Sequence, residues 1–399
     1  MTGPKPPWLA EPAARRLLAA LGTAGIEARF VGGCVRDSLL GLDIGDIDLA
    51  TPARPEAVIA ALRKAKIRAI PTGLAHGTVT AVIPPRHFEI TTLRRDVETY
   101  GRRAKVAFDA GWEEDAARRD FTINAIYLAP DGTIYDPVGG RADLAAHRVH
   151  FVGDPATRIA EDVLRILRYY RFEARFGGGA GDPDARAACR AAVGQLPTLS
   201  AERVSRELMR LLGSPEPVRA VKMMIEDGVL GVILSEASQV DSLNQPDVLL
   251  GPILRLAALI NVDRDGARVV GERLRLSNAD RNRLVGLAKP LPLDPDGDPK
   301  AQRLALYRLG PERYRDLLRL ATADGRIALR RLKELLDFAE SWPIPIFPLS
   351  GDDVTALAIP PGPRVGQLLA QVKRWWEDGD FTADRAACLA KLKEVASPT

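Results

Sequence analysis

The sequence predicts an α+β region over residues 1–150 and an all-α remainder. Three observations carry this expectation. Short apolar runs bounded by Gly and Pro alternate with helical periods up to residue 150. Beyond residue 155, apolar positions recur every three to four residues and few strand-like runs remain. The chain also has 399 residues, more than one compact core holds, so two or more domains are expected.

Residues 11–22 read as a helix with Arg15 and Arg16 on its polar side. Residues 26–31 read as a strand broken by Gly32-Gly33, and 35–40 as a short helix. A second strand is expected over 44–50, after the turn at Asp43 and Gly45, and a helix over 55–65. Strands follow at 67–70, 78–83 and 87–92, the last two joined by Pro84-Pro85. Residues 158–176 predict one long amphipathic helix closed by Gly177-Gly178-Gly179. Further helices are expected at 201–212, 218–226, 267–275, 280–287, 301–309, 311–320 and 327–341. The proline-rich stretch 342–349 reads as a linker before a small helical tail.

Composition narrows the function classes. The chain is 46% hydrophobic and 27% charged, as in soluble globular proteins. No run of about 18 uncharged apolar residues predicts a membrane span. The N-terminus, Met-Thr-Gly-Pro-Lys-Pro-Pro-Trp, lacks the apolar region of a secretory leader, so a cytoplasmic location is expected. Cys34, Cys189 and Cys388 are odd in number and far apart, which fits a reducing compartment and gives no disulfide frame. A net charge of +4 permits a polyanionic partner without requiring one.

The chemistry concentrates near the N-terminus. In Gly45-Asp46-Ile47-Asp48-Leu49, strand alternation puts Asp46 and Asp48 on one side, with Ile47 and Leu49 toward the core. Close carboxylates repel unless a cation lies between them, and such hard donors suit Mg2+ with substrate phosphates. An isolated Asp-x-Asp is more often a solvated turn, so the preceding segment matters. Gly32-Gly33-Cys34-Val35-Arg36-Asp37 joins a strand to a helix, where backbone N–H groups attract phosphate and glycine admits close approach. Glu89 completes a carboxylate cluster if its strand lies near Asp48; taken alone, it is as readily an outward-facing strand residue.

These segments, in this order, resemble the bacterial class II tRNA nucleotidyltransferase and poly(A) polymerase family. The resemblance continues with Gly73-Leu74-Ala75-His76-Gly77-Thr78-Val79, Glu89-Ile90-Thr91-Thr92, Arg118-Arg119-Asp120-Phe121-Thr122-Ile123-Asn124-Ala125 and Asp136-Pro137-Val138-Gly139-Gly140. It extends through Glu161-Asp162-Val163-Leu164-Arg165-Ile166-Leu167-Arg168-Tyr169-Tyr170-Arg171-Phe172, the segment Ser200-Ala201-Glu202-Arg203, and residues 348–363. It implies a polymerase-β-like nucleotidyltransferase head over 1–150, a helical neck over 151–215, an RNA-binding body over 216–345 and a tail over 346–399.

The resemblance further implies that Asp46 and Asp48 hold the metals and that Gly33, Arg36 and Arg119 meet the triphosphate; Glu89 is counted beside the two acids as a catalytic candidate. Asn124 would orient the adjoining loop or the sugar. Asp162 and Arg165 would face the incoming base, with Arg168 and Arg171 nearby. If residues 158–176 form one helix, Asp162 and Arg165 lie three apart on its polar side. An ionised Asp accepts and Arg donates, so the pair matches the amine and ring nitrogen shared by cytosine and adenine. The implied substrates are CTP, ATP and the 3′ end of tRNA. In relatives, the loop corresponding to 93–106 is mobile and helps switch from CTP to ATP; here Tyr100 stands where many relatives carry Asp.

Arg313, Arg315, Arg319, Arg326, Arg330, Arg331 and Lys333 form basic helix faces suited to RNA phosphates, although solvated helices look the same. Trp375-Trp376 reads as tail packing, and His76 as structural rather than catalytic. A poly(A) polymerase, or an enzyme adding only CC or only A, would share the head motifs. Transfer to a small molecule fits the turn and acids but not the long helical body. A non-catalytic RNA-binding protein predicts loss of the acids, which are present.

Overall fold

A computed structural model describes residues 6–100, 103–245 and 247–397. The chain divides into two compact units, Met1–Ser235 and Glu236–Thr399. Among the described residues, no helix is long and apolar enough to cross a membrane.

The first unit is organised by a seven-stranded sheet in the order β3-β4-β5-β2-β1-β8-β9. Its strands are β1 (Arg29–Val31), β2 (Ile47–Thr51), β3 (Arg68–Gly73), β4 (Thr78–Ile83), β5 (Arg86–Thr92), β8 (Tyr127–Leu128) and β9 (Ile134–Tyr135). Strands β6 (Arg95–Tyr100) and β7 (Arg103–Ala107) form a separate antiparallel ribbon. The stretch expected as a plain polar loop at 93–106 is thus largely hairpin; Gly101 and Arg102, which follow Tyr100, lie outside the described residues.

Two expected strands are shorter than predicted. β1 begins at Arg29 rather than at residue 26, and it stops at Gly32, whose φ of 76° no strand accepts. β2 begins at Ile47 rather than at residue 44; it pairs antiparallel with β1, Val31 opposite Asp48, Phe30 opposite Leu49 and Arg29 opposite Ala50. Residues 44–46 lie outside the strand, and Asp46 sits just ahead of the ladder.

Helices α1 (Pro12–Thr23), α2 (Gly33–Leu39) and α3 (Pro55–Lys64) close the start of the unit. Then come α4 (Trp112–Ala117), α5 (Gly140–Ala145), α6 (Pro155–Glu161), α7 (Leu164–Phe176), α8 (Pro183–Ala192), α9 (Ala201–Leu212), α10 (Pro217–Glu226) and α11 (Val229–Ile233). The single helix expected over 158–176 is in fact two. Asp162 is extended (φ −152°, ψ 106°), so α6 ends at Glu161 and α7 restarts at Leu164. The Asp162 carboxylate drives the break: Oδ1 accepts from the Leu164 N–H at 3.1 Å, satisfying a donor the new helix would leave free.

α7 packs against α9 and α10. Its aromatic side meets the sheet unit: Phe172 lies 5.0 Å from Phe121, and Tyr169 stacks on Phe151 at 5.8 Å between ring centres. Tyr170 donates to Asp227 at 2.8 Å, and Arg186 and Arg190 complete that buried carboxylate at 2.7 and 2.8 Å.

The second unit is helical: α12 (Pro252–Leu259), α13 (Arg264–Arg273), α14 (Asn278–Gly286), α15 (Pro299–Leu309), α16 (Pro311–Ala323), α17 (Leu329–Ser341), α18 (Gly351–Thr355), α19 (Pro363–Asp378) and α20 (Arg385–Ala396). α12 is buried on all sides from Ile253 to Leu259. A separate apolar cluster at the C-terminal end gathers Leu349, Val354, Leu368, Val372, Trp376 and Leu392. Trp376 packs within it and donates to the Ala383 carbonyl at 3.0 Å, whereas Trp375 remains exposed.

Gly140 shows how the loops are braced. Asp136 accepts from the Gly140 and Arg141 N–H groups at 2.8 and 2.9 Å, pressing α5 onto the turn that follows Phe121. A Cβ at Gly140 would lie 2.1 Å from the Thr122 carbonyl oxygen and 2.9 Å from Ile126. Gly140→Ala is therefore expected to destabilise the protein by about 1–3 kcal/mol through overpacking. Urea unfolding checks this; an unchanged midpoint would refute the contact.

Candidate active site

Parallel pairing of β2 with β5 sets the acidic cluster. The register places Asp48 opposite Glu89, flanked by the buried pairs Ile47–Phe88 and Leu49–Ile90. Because both strands alternate, the apolar residues anchor the sheet while the carboxylates emerge on the same side. Burial first, then the neighbouring Glu89 carboxylate and lastly Asp46, push the Asp48 carboxyl up to about 6 despite the opposing pull of Arg119. The three predicted acids are therefore brought together, with Asp46 and Glu89 exposed and Asp48 half-buried. Among the described residues no group of three or more His, Cys, Asp or Glu side chains is arranged to hold a metal ion.

The glycine turn lies over this cluster. A Cβ at Gly32 would stand 3.9 Å from the Asp48 carboxylate and 4.0 Å from an Arg119 Nη. Cys34 ties the turn down by donating to the Val31 carbonyl at 3.4 Å, and burial pushes its thiol up to about 12, so it serves packing.

Arg119 is braced rather than loose. It donates to Asp115 Oδ2 at 3.0 Å, to the Tyr127 hydroxyl at 3.2 Å and to the Asn124 carbonyl at 3.4 Å. Asp115 is 1% exposed and also receives the Arg118 guanidinium and the Tyr127 hydroxyl, the latter at 2.8 Å. Desolvation works against this carboxylate's charge, but the arginines outweigh it and hold its pKa below the usual value.

Arg36 and Asn124 lie beneath the turn. Arg36 is 7% exposed, donates to Asp37 at 2.8 Å and to Asn124 Oδ1 at 2.5 Å, and its guanidinium lies 4.1 Å from the Phe176 ring. Asn124 in turn donates to Asp120 at 3.0 Å. Geometrically, both support the turn from inside instead of projecting from it.

Asp120 joins this layer to α7. Its Oδ1 accepts from the Phe121 N–H at 2.9 Å and from Asn124; its Oδ2 receives the Arg168 guanidinium, with Nε at 2.7 Å. Desolvation raises its pKa, but the Arg168 charge and these donors prevail and set it at about 2.

The expected Asp162–Arg165 pairing does not occur. With Asp162 extended, its Oδ2 takes Arg203 of α9 at 2.7 Å. Arg165 instead pairs with Glu161 and donates to the Arg158 carbonyl at 2.7 Å and, more weakly, to the Arg118 carbonyl at 3.4 Å. The i,i+3 argument fails because it assumes an unbroken helix. Arg171 faces α9, 2.6 Å from Glu207, and stacks on Phe172 at 4.3 Å. Burial leads, with help from Arg168, in lowering the Arg171 guanidinium to about 10 despite Glu207.

Sequence reasoning gave no role to Asp115, Asp120, Tyr127, Arg203 or Glu207. Asp115 stood at helical spacing from Arg119, and Asp120 was a lone acid entering an apolar run; both signals were legible. In the second unit, several of the basic residues read as RNA-facing already have partners: Arg319 with Asp316 at 4.0 Å, and Arg330 and Arg331 with Glu334 at 3.2 and 3.4 Å.

A glycine turn thus lies above paired carboxylates on adjacent parallel strands, with a braced arginine beside them. Residues 28–150 match the family described as the poly A polymerase head domain, and residues 182–240 match the probable RNA and SrmB-binding site of polymerase A. The chain is 34% identical over 391 residues to the mitochondrial CCA tRNA nucleotidyltransferase 1 of Mus musculus, covering 92% of this chain and 87% of the relative. It is 31% identical over 400 residues to the CCA-adding enzyme of Limosilactobacillus fermentum, covering 96% of each. Its structure is similar to the crystal structure of the Bacillus stearothermophilus CCA-adding enzyme in complex with CTP, with a TM-score of 0.81, 30% identity, and coverage of 96% and 98%. The chain belongs to the tRNA nucleotidyltransferase and poly(A) polymerase family.

The depressed Asp120 pKa fixes a pH dependence. Its stabilising effect is fully present above the usual 3.8 and is lost as pH falls toward about 2. Asp120→Asn should cost on the order of 2 kcal/mol at neutral pH and flatten the stability profile over that acid window. Urea unfolding at stepped pH measures both; equal acid slopes in the two proteins would remove Asp120 from this role.

Proposed function

We propose that this enzyme adds C, C and A to the 3′ end of tRNA, using CTP and ATP without a nucleic-acid template. The observation that carries the reading is the in-register placement of Asp48 beside Glu89, under the Gly32-Gly33 turn and next to Arg119. The relatives' names and their coverage of nearly the whole chain support the choice of tRNA.

In the proposed reaction, the RNA 3′ hydroxyl attacks the α-phosphate in line and pyrophosphate leaves. Gly32 and Gly33 admit the triphosphate close to the backbone, and Arg119 offers a cation whose orientation Asp115 and Tyr127 fix. Asp46 and Asp48 would hold Mg2+: their oxygens are hard donors, Asp48 stands opposite Glu89 in the ladder, and Mg2+ needs only one or two carboxylates beside phosphates. When bound, the metal ions supply charge neutralisation and a more acidic attacking hydroxyl. The protein's remaining contribution is positioning.

Base choice falls to Asp162 and Arg165, each fixed separately. Arg203 holds the Asp162 carboxylate, which keeps acceptor capacity for an exocyclic amine. Arg168 and Arg171 stiffen the helix behind them through Asp120 and Glu207. The division into head (1–150), neck (151–215), body (216–345) and tail (346–399) belongs to the same proposal, as does a cytoplasmic location, which three free buried cysteines support.

Extension of tRNA lacking CCA by the purified protein with Mg2+, CTP and ATP, followed by 3′-end sequencing, tests the assignment. Complete CCA is expected. Asp46→Ala or Asp48→Ala should reduce the rate by more than the ~10–100-fold typical of losing an outer-shell partner. CC alone, A alone or long A tails would replace the reading with a partial enzyme or a poly(A) polymerase.

Arg203→Ala should leave the extension rate nearer wild type than the acid variants do. It should also relax discrimination against UTP and GTP by about tenfold, equivalent to one hydrogen bond to a charged group. Unchanged misincorporation would separate Arg203 from base choice.

A further inference from the structure

The end of α4 is held by two arginines from either side of the break between α6 and α7. α4 closes with the Arg118 and Arg119 N–H groups donating back to the Glu114 and Ala116 carbonyls at 3.2 and 3.1 Å. The Ala117 and Arg118 carbonyls lie beyond those bonds, where a helix leaves acceptors free and favours a cation. Arg158 of α6 donates from Nη1 to the Ala117 carbonyl at 3.1 Å, and Arg165 of α7 donates from Nη2 to the Arg118 carbonyl at 3.4 Å.

Residue 158 meets both sides of this junction. Its guanidinium also pairs at 3.1 Å with Glu161, the acid that Arg165 takes as well. Its backbone carbonyl accepts from Arg165 at 2.7 Å. On the far side, α4 carries Asp115, which holds Arg119 at 3.0 Å and accepts from the Tyr127 hydroxyl at 2.8 Å. Arg165, proposed to read the base, and Arg119, proposed to meet the triphosphate, are thereby the two ends of one connected path. Of the two bonds to the end of α4, the 3.4 Å contact from Arg165 is the weaker and is the one given up when that guanidinium turns to a base. The Arg158 bond then remains. The Arg158 Nε is buried without a hydrogen-bond partner among the described residues. A buried unpaired donor works against stability, so fold stability alone does not account for this placement.

We infer that, given the proposed roles of Arg165 and Arg119, Arg158 is a positioning residue: it clamps α4 to the base-reading segment so that base and triphosphate are held in one geometry. Aligning the α-phosphate with the attacking hydroxyl needs both ends of the nucleotide fixed at once, whereas each end alone still contributes binding. Loosening the clamp therefore lowers rate more than affinity.

The test uses the full chain, with single C addition to tRNA lacking CCA and single A addition to tRNA ending in CC. Arg158→Gln should lower kcat on the order of 10- to 100-fold for both nucleotides and leave KM near wild type. Arg158→Lys offers a point donor without the planar fork, and its kcat should fall between the two. Tyr127→Phe loosens the opposite end of the path, so the double variant should lose less than the product of the single losses. Wild-type kcat in Arg158→Gln, a loss confined to KM, or independent effects of the two substitutions overturns the inference. A lower melting temperature with unchanged kcat does the same, since it marks a purely structural contact. If Arg158→Gln does not fold, Arg158→Lys decides by the same comparison. Hydrogen exchange over residues 112–119 reads the clamp without activity: it should quicken in the Arg158 variant and stay unchanged over α1, and equal exchange in both proteins overturns the clamp. A wild-type protein that extends no RNA fails the proposed function itself, and the exchange difference then still decides whether the clamp exists.

Discussion

A carboxylate removed from water must find its compensation in protein, and Asp120 finds it on two sides of the first unit at once. Its Oδ1 is satisfied by Asn124 and the Phe121 N–H, and its Oδ2 by Arg168 of α7. Breaking either side would strand a buried charge, which costs more than the net worth of the pair. The sheet and α7 are thereby locked in one register. The Phe121–Phe172 contact supplies apolar area along the same seam, but area alone is non-directional and tolerates sliding. Directional bonds to Asp120 are what forbid it. Through Asn124 the same carboxylate reaches Arg36, which lines the glycine turn from below.

This layering explains a division among arginines that look alike in sequence. Arg36, Arg168 and Arg171 are consumed by Asp37, Asp120 and Glu207. Arg119 is braced by Asp115 yet stays close enough to Asp48 to lower its pKa. An arginine that must meet a phosphate has to be aimed, and a side chain with about 2 kcal/mol of rotamer entropy is aimed best by a second carboxylate behind it. Spacing in sequence gives no measure of which arginine is aimed and which is spent, because that depends on acids delivered by other elements.

The acidic cluster was legible because strand alternation is local. Ile47 and Leu49 had to be buried, so Asp48 had to emerge; the partner Glu89 needed only one fact beyond the sequence, that β5 runs parallel beside β2. The order of helices after residue 155 was legible for the same reason, since each amphipathic period is local. The break at Asp162 was not. Residues 158–176 carry a continuous apolar arc, and periodicity cannot see a side chain that competes for its own backbone. Asp is a residue for which that competition is strong, and here a distant arginine, Arg203, tips the outcome by holding the other carboxylate oxygen.

The break changes what the proposed base-reading residues can do. On a continuous helix, Asp162 and Arg165 would neutralise each other, and a base would have to displace an existing ion pair to be read. Extended at Asp162, the backbone gives each side chain its own support: Arg203 and the Leu164 N–H for the acid, Glu161 and two carbonyls for the arginine. Acceptor and donor are then fixed without being spent on one another. Discrimination between bases grows when the site's polar groups are preorganised and a wrong edge leaves them unpaired, a penalty of about 1–3 kcal/mol per buried group. An enzyme that selects nucleotides with no template strand has only its own side chains to supply that penalty, and an irregular backbone supplies it where a regular helix would cancel it.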